Sequence, residues 1–308
     1  MNRRTFLKTL AGSALALGLD LGSGLGLSPL APRRLNAQNF PDLVAVKGSD
    51  LTVMFDRGLE ALGGLGQFIK KGQTVLVKPN MGWAVTPEGA ANTNPALLAH
   101  IIKNALNLGA KKVYVFDNTC DNWKDAYRVS GLEKAATEAG ATVAPANSDG
   151  YFQKIDLPGA KTLKSTQFHE LFLEADVILN VPVLKHHGGA KMTAAMKNLM
   201  GAIYDRHPLH RLGLDETIPE LTLHKKPNLH IVDAARVMLS GGPRGRGDSR
   251  YLASQMLIVS PDPVATDAAC AKILEANGII VPRYIELAAQ MGIGVADLNQ
   301  LSVQRLSA

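Results

Sequence analysis

Lys185, His186 and His187 stand side by side in the segment VPVLKHHGGAKMTAAMKNLMG, which runs from Val181 to Gly201. Two glycines follow them, and Lys191, Lys197 and Asn198 come close behind. The apolar run Val177 to Val183 reads as a strand, and the residues after the glycines as a helix from Thr193 to Ile203. A strand, a flexible turn and a cationic helix start suit an anion or a metal-bound anion. An imidazole can transfer a proton near neutral pH, and a lysine supplies a point charge for phosphate or carboxylate.

Other apolar runs end in residues of the same kind. Thr74 to Lys78 leads to Asn80, Lys112 to Phe116 leads to Asp117 and Asn118, and Leu229 to Val232 leads to Asp233. In an open α/β sheet, ligands bind beyond the carboxyl ends of the strands, so parallel neighbours would bring these groups to one rim. On this reading His187, Lys185 and Asp233 carry the chemistry, while Lys78, Asn80, Lys197 and Asn198 hold the substrate. Asp117, Asp233 and Asp262 are the candidates to hold a divalent metal. Capping of a strand or helix is the alternative for each Asp or Asn, because their side chains satisfy local backbone groups. Lysine is a poor cap, so Lys78 and Lys185 resist that alternative, whereas Lys191 reads as a solvated residue.

Other patterns point nowhere specific. His186, His187, His207 and His210 lie near Asp205 and Asp215 but match no full zinc signature. The glycine loop from Gly241 to Gly247 fits neither a Walker loop nor a dinucleotide fingerprint, and reads as a surface loop. No Gly-x-Ser-x-Gly elbow is present, so a hydrolase triad is unsupported.

The elements that must position these groups alternate. A strand at Leu43 to Lys47 and a helix at Asp56 to Ile69 precede the strand Thr74 to Lys78. Asn94 caps a helix from Pro95 to Leu108 with an apolar stripe, closed by Gly109. After the strand Lys112 to Phe116, a helix from Gly131 to Ala139 leads to a strand at Ala141 to Ala144. A small hairpin is expected from Ile155 to Leu157 and Lys161 to Leu163 around Pro158-Gly159, then a short helix from Phe168 to Glu174. Beyond the central stretch come a His-rich loop and helix from Asp205 to Leu223, strands at Leu229 to Asp233 and Gln255 to Ser260, and helices at Val264 to Asn277 and Pro282 to Gln290. This rhythm predicts an α/β fold, a mostly parallel, doubly wound sheet with helices on both faces and right-handed crossovers.

Composition is that of a globular protein, with 46% hydrophobic and 19% charged residues among 308. Residues 1–37 are different. Arg3-Arg4-Thr5-Phe6-Leu7-Lys8 precedes a Gly- and Ala-rich apolar run, which reads as a twin-arginine export signal cleaved after Ala37. Asp20 and several glycines interrupt the run, so it is a poor membrane span. The expected organisation is therefore a leader at 1–37 and one α/β domain at 38–308, with a periplasmic or otherwise exported location. The Tat translocase is then a partner during export, and no stable membrane anchor is expected after cleavage. The leader carries four of the six net positive charges, so the remainder gives no reason to expect a nucleic-acid partner. The two cysteines, Cys120 and Cys270, are too few for a cysteine-ligated iron–sulfur cluster.

Taken together, KPN at 78–80, ADVILNVPVLKHH at 175–187, MKNLMG at 196–201, HIVDA at 230–234 and SPDPVATDA at 260–268 resemble the DUF362 family. His187 takes the family histidine position, and His186 replaces the family threonine. The resemblance implies no generally established reaction. Many relatives carry a ferredoxin-like iron–sulfur segment, and this sequence lacks its cysteines, so no intrinsic cluster is expected. The resulting expectation is an exported enzyme for a small anionic ligand, a phosphate or carboxylate compound, with a divalent metal as a candidate cofactor. The alternative is a non-catalytic ligand-binding protein or a maturation factor for an exported redox or iron–sulfur enzyme.

Overall fold

Unbroken β-branched runs form the middle of one sheet. The computed structural model describes residues 40–308, so the leader expected at 1–37 lies outside the described residues. Strands β1 (Leu43–Lys47), β2 (Thr74–Pro79), β3 (Lys112–Val115) and β4 (Thr142–Val143) come first. Strands β5 (Phe152–Asp156) and β6 (Ser165–His169) pair only with each other. Strands β7 (Val177–Val181), β8 (Val183–His187), β9 (Lys191–Thr193), β10 (Leu229–Met238), β11 (Tyr251–Ser260) and β12 (Val303–Ser307) return to the main sheet. Its order is β12-β1-β11-β10-β7-β2-β3-β4, with β8 added on β10 and β9 on β8.

Side chains alternate between two apolar layers, as the period of two along a strand requires. Val75, Val77, Val177 and Leu179 enter one layer, where the helices Leu51–Ala61 and Pro95–Asn107 cover them. Leu76, Ile178 and Val232 enter the other, under the helices Pro263–Glu275 and Tyr284–Gln290. Burial on both faces is why these strands read as continuous apolar runs. Among the described residues no helix is long and apolar enough to cross a membrane.

From β2 the chain winds outward through β3 to β4, then crosses back to lay β7 against the other side of β2. All four strands are parallel, so β2 and β7 diverge at a switch point, where an open α/β sheet leaves a crevice at its carboxyl rim. Lys78 lies opposite Asn180 in that register.

The expected α/β class with a mostly parallel sheet holds, with antiparallel pairs at β11 and between β8 and β9. Strand β11 is antiparallel to both β10 and β1. It follows β10 through a loop without a helix, and only a crossover could have returned it parallel. The first helix spans Leu51–Ala61 rather than 56–69, because Asp50 accepts from Thr52 N (2.8 Å) and Val53 N. A helix at Trp123–Val129 was not foreseen. In the β5–β6 hairpin, Lys161 to Leu163 form no strand: their three amides donate to the buried carboxylate of Glu220 at 2.6–2.8 Å. Where a turn and a long helix were expected after Val183, β8 extends through His187 and pairs with β9. The helix that follows is one turn, Ala195–Asn198, continued as a 3-10 turn over Leu199–Ala202.

Asp262 proves to be a cap. It accepts from Val264 N (2.8 Å) and Ala265 N (3.0 Å) at the start of the helix Pro263–Glu275, and from Val295 N (2.9 Å). Asp262→Ala should therefore cost about 1–2 kcal/mol of stability, the usual price of a lost N-cap, as read by urea unfolding. A loss of thermal stabilisation by added Mg²⁺ in this variant would instead favour the metal role.

Candidate functional site

Beyond the carboxyl ends of β2, β3 and β8 lies a cleft of about 270 Å³. Asn80, Asp117, Lys185, His187, Lys197 and Asn198 all line it, so six of the expected site residues converge. Lys78 lies directly beneath. Asp233 and Asp262 do not line it.

Lys78 is wholly buried, and its ammonium meets Asp117 Oδ1 at 2.8 Å and Pro79 O at 2.8 Å. Burial pulls the Lys78 pKa down and the Asp117 charge opposes this. The other carboxylate oxygen of Asp117 accepts from Met81 N at 2.6 Å. Tyr127 Oη fixes the Asp117 backbone from both sides, accepting from its N–H at 3.0 Å and donating to its carbonyl at 2.8 Å. Gly201 closes over the pair. A Cβ there would overlap Asp117 Oδ1, which is why the chain has glycine at the end of MKNLMG.

Lys185 is as buried as Lys78 but has no carboxylate. Its Nζ donates to Asn80 Oδ1 at 3.0 Å and to Ala91 O. Burial, and then the charge of Lys197, push its pKa down to about 7. Lys197 is half-buried at the cleft wall and forms none of the salt bridges among the described residues. Burial lowers it to about 8, and Arg206 contributes further.

A line of amides ties these lysines to the sheet. Asn180 Nδ2 meets His230 Nδ1 at 3.0 Å, and Asn198 Nδ2 donates to Asn180 Oδ1 at 2.8 Å. Asn80 Nδ2 then donates to Asn198 Oδ1 at 3.0 Å, leaving Asn80 Oδ1 for Lys185. Every amide in the line both gives and receives, so each is held in one orientation. Asn80 and Asn198 thus position Lys185 as well as lining the cleft.

His187 does not suit the role of a proton carrier near neutral pH. Its Nδ1 accepts from Gly189 N (3.1 Å) and Ala190 N (3.0 Å) across the β8–β9 turn. Burial first, then Lys197 and Lys185, push its pKa down to about 2. The ring is neutral at pH 7 with its proton on Nε2, a hydrogen-bond donor to the cleft. Asp233 is buried against the sheet instead, accepting from Asn94 N (3.2 Å) and Ala235 N (3.1 Å). Burial raises its pKa to about 6. The three aspartates proposed for a metal are therefore each committed to separate partners. Among the described residues no three His, Cys, Asp or Glu side chains gather as a metal site.

Sequence reasoning missed several lining groups. Arg206 is anchored by Asn118 O (3.1 Å) and Thr119 O (2.7 Å), and its guanidinium lies 3.3 Å from the exposed thiol of Cys120. Thr193 and His210 also line the cleft. Asn180 had a legible signal, as the one polar residue inside a buried run; Arg206 had none, because the carbonyls of Asn118 and Thr119 that anchor it come from a segment more than eighty residues away in sequence.

A family model described as "Domain of unknown function (DUF362)" matches residues 75–272. The "Thylakoid-associated protein sll1697" of Synechocystis sp. (strain ATCC 27184 / PCC 6803 / Kazusa) is 28% identical over 261 residues, covering 77% of this chain and 73% of its own. Among solved structures, the lactate racemase apoprotein from Thermoanaerobacterium thermosaccharolyticum is similar at 13% identity over 68% of this chain, with a TM-score of 0.39. A protein from Thermotoga maritima is similar at 12% identity over 78% of this chain, with a TM-score of 0.41. The chain spans 54% and 59% of those two proteins, and likeness at that level says nothing of activity.

Removing one partner of a buried ion pair strands the other charge. Asp117→Ala should lower the unfolding free energy by about 3–5 kcal/mol, whereas the Lys78→Met/Asp117→Leu double variant should lose much less. Urea unfolding of both variants against wild type checks the difference.

Proposed function

This chain belongs to the DUF362 family, and we propose that it binds a small anion in the cleft at its switch point and acts on it as an enzyme. The observation that carries the reading is the charge balance of the lining. Lys197 and Arg206 face a cleft whose one acidic side chain, Asp117, is already held by Lys78 and Met81 N. Cations without carboxylate partners in a partly desolvated cleft favour an anionic guest, because the guest restores the balance that burial removed. Arg206 and Lys197 take the charge of a phosphate or carboxylate, and His187 Nε2 adds a neutral donor. Lys78 fixes Asp117 rather than touching the ligand.

The same reading has the protein exported behind the Arg3–Arg4 leader. A relative's name places that relative at thylakoids, in keeping with work near a membrane. Cell fractionation of the full chain should find the wild type outside the cytoplasm and the Arg3→Lys/Arg4→Lys variant retained within it.

Titration calorimetry with inorganic phosphate, oxalate and pyruvate tests the cleft. At least one should bind, and Lys197→Ala and Arg206→Ala should each weaken it by about tenfold, the worth of one charge-assisted hydrogen bond. Binding needs the Lys197 ammonium, so affinity should fall as pH rises through about 8. Saturable binding without turnover in any assay of a bound compound would favour a non-catalytic ligand-binding role. Unchanged affinity in both variants would sink the assignment.

A further inference from the structure

Two acceptors surround the buried nitrogen of Lys185, and a primary amine has two N–H groups. Asn80 Oδ1 and Ala91 O take them. An ammonium would carry a third N–H with no acceptor among the described residues, beside the charge of Lys197. Lys78 solves the same burial with a carboxylate at 2.8 Å, a solution Lys185 lacks. The amine form therefore suits this pocket, with its pKa near 7 in support. Once both N–H groups are taken, the nitrogen lone pair is left on the remaining side, and the cleft lies along Lys185.

A second group there lacks a partner. Thr193 lies directly opposite Lys185 in the antiparallel β8–β9 pair, so the two side chains share a face. Thr193 is 2% exposed and lines the cleft, yet its hydroxyl oxygen has no hydrogen-bond partner. A buried hydroxyl without a partner costs free energy unless a ligand supplies one.

We propose that Lys185 Nζ condenses with the carbonyl carbon of a small 2-oxo carboxylate, forming a Schiff base in the cleft. The proposal rests on the anion-binding reading and names its substrate class. Lys197 and Arg206 hold the carboxylate, and Thr193 Oγ1 meets the carbonyl oxygen. The nitrogen lone pair forms the C–N bond while the C=O π pair moves onto oxygen, which takes the proton that nitrogen gives up. The carbinolamine then loses its hydroxyl with the second nitrogen proton as water, and C=N replaces C=O. No oxidant, reductant or leaving group from elsewhere is required. The imine is an electron sink for cleavage or proton loss at the neighbouring carbon.

The test is reductive trapping of the purified protein with pyruvate or glyoxylate and sodium cyanoborohydride, read by intact mass and peptide mapping. The expected result is one reduced adduct per chain, on the peptide containing Lys185. It should be competed by oxalate, which has carboxylates but no ketone, and be absent from Lys185→Arg. Trapping should fall as pH drops below about 7, where the amine takes up a proton. Thr193→Val, which removes the hydroxyl that meets the carbonyl oxygen, should slow adduct formation without moving it to another lysine. Saturable calorimetric binding of pyruvate or oxalate with no adduct would overturn the Schiff base and leave the anion reading intact. No binding of pyruvate, glyoxylate, oxalate or phosphate, together with no adduct, would overturn both. Unsaturable labelling across surface lysines, or an adduct on Lys197, would overturn the assignment to Lys185.

Discussion

Three lysines drawn out of water at one rim, with one carboxylate among them, set the terms for everything around them. Desolvating an ammonium is costly, and each lysine meets that cost differently. Lys78 keeps a carboxylate in contact, Lys185 has two neutral acceptors, and Lys197 keeps part of its surface in the open cleft. The three answers give a buried ion pair, a buried lysine between two neutral acceptors and a half-buried lysine at the cleft wall. Position relative to Asp117 decides which lysine does which.

The sheet topology makes that arrangement achievable. Chain reversal between β4 and β7 puts β7 beside β2 and opens the rim at their carboxyl ends. The one-turn helix Ala195–Asn198 then settles over it, its first two amides accepted by the buried carboxylate of Asp267 at 2.5 and 3.1 Å. From that helix Asn198 reaches the backbone of Lys78 and Pro79 as well as Asn180 and Asn80. The crevice is thus bridged by amides, whose donors and acceptors both have partners. Such a bridge adds no charge of its own, so the cationic balance of the cleft is preserved.

The histidines show how far local context can move a residue from its usual part. His187 and His230 have their pKa values pushed to about 2 and about 3, in both cases chiefly by burial. Each takes a hydrogen bond on Nδ1, so both work as neutral groups of fixed tautomer. A charge on His187 would add to a cleft that already holds more positive charge than it can pair.

Sequence alone determined the strands at Leu43–Lys47 and Thr74–Pro79, the Asn94-capped helix, the α/β class, and the fact that basic and amide groups sit at strand ends. Those features depend on neighbours a few residues apart, where periodicity, caps and β-branching act. It also carried the family, through ordered motifs spread along the chain. Tertiary structure alone decided that Asp262 caps a helix and Asp233 turns into the sheet, that Glu220 keeps Lys161 to Leu163 from pairing, and that Arg206 and Thr193 join the cleft. It also lowered the pKa of Lys185 to about 7. A pKa depends on which charges and acceptors lie within a few ångströms, and folding brings those together from segments about a hundred residues apart.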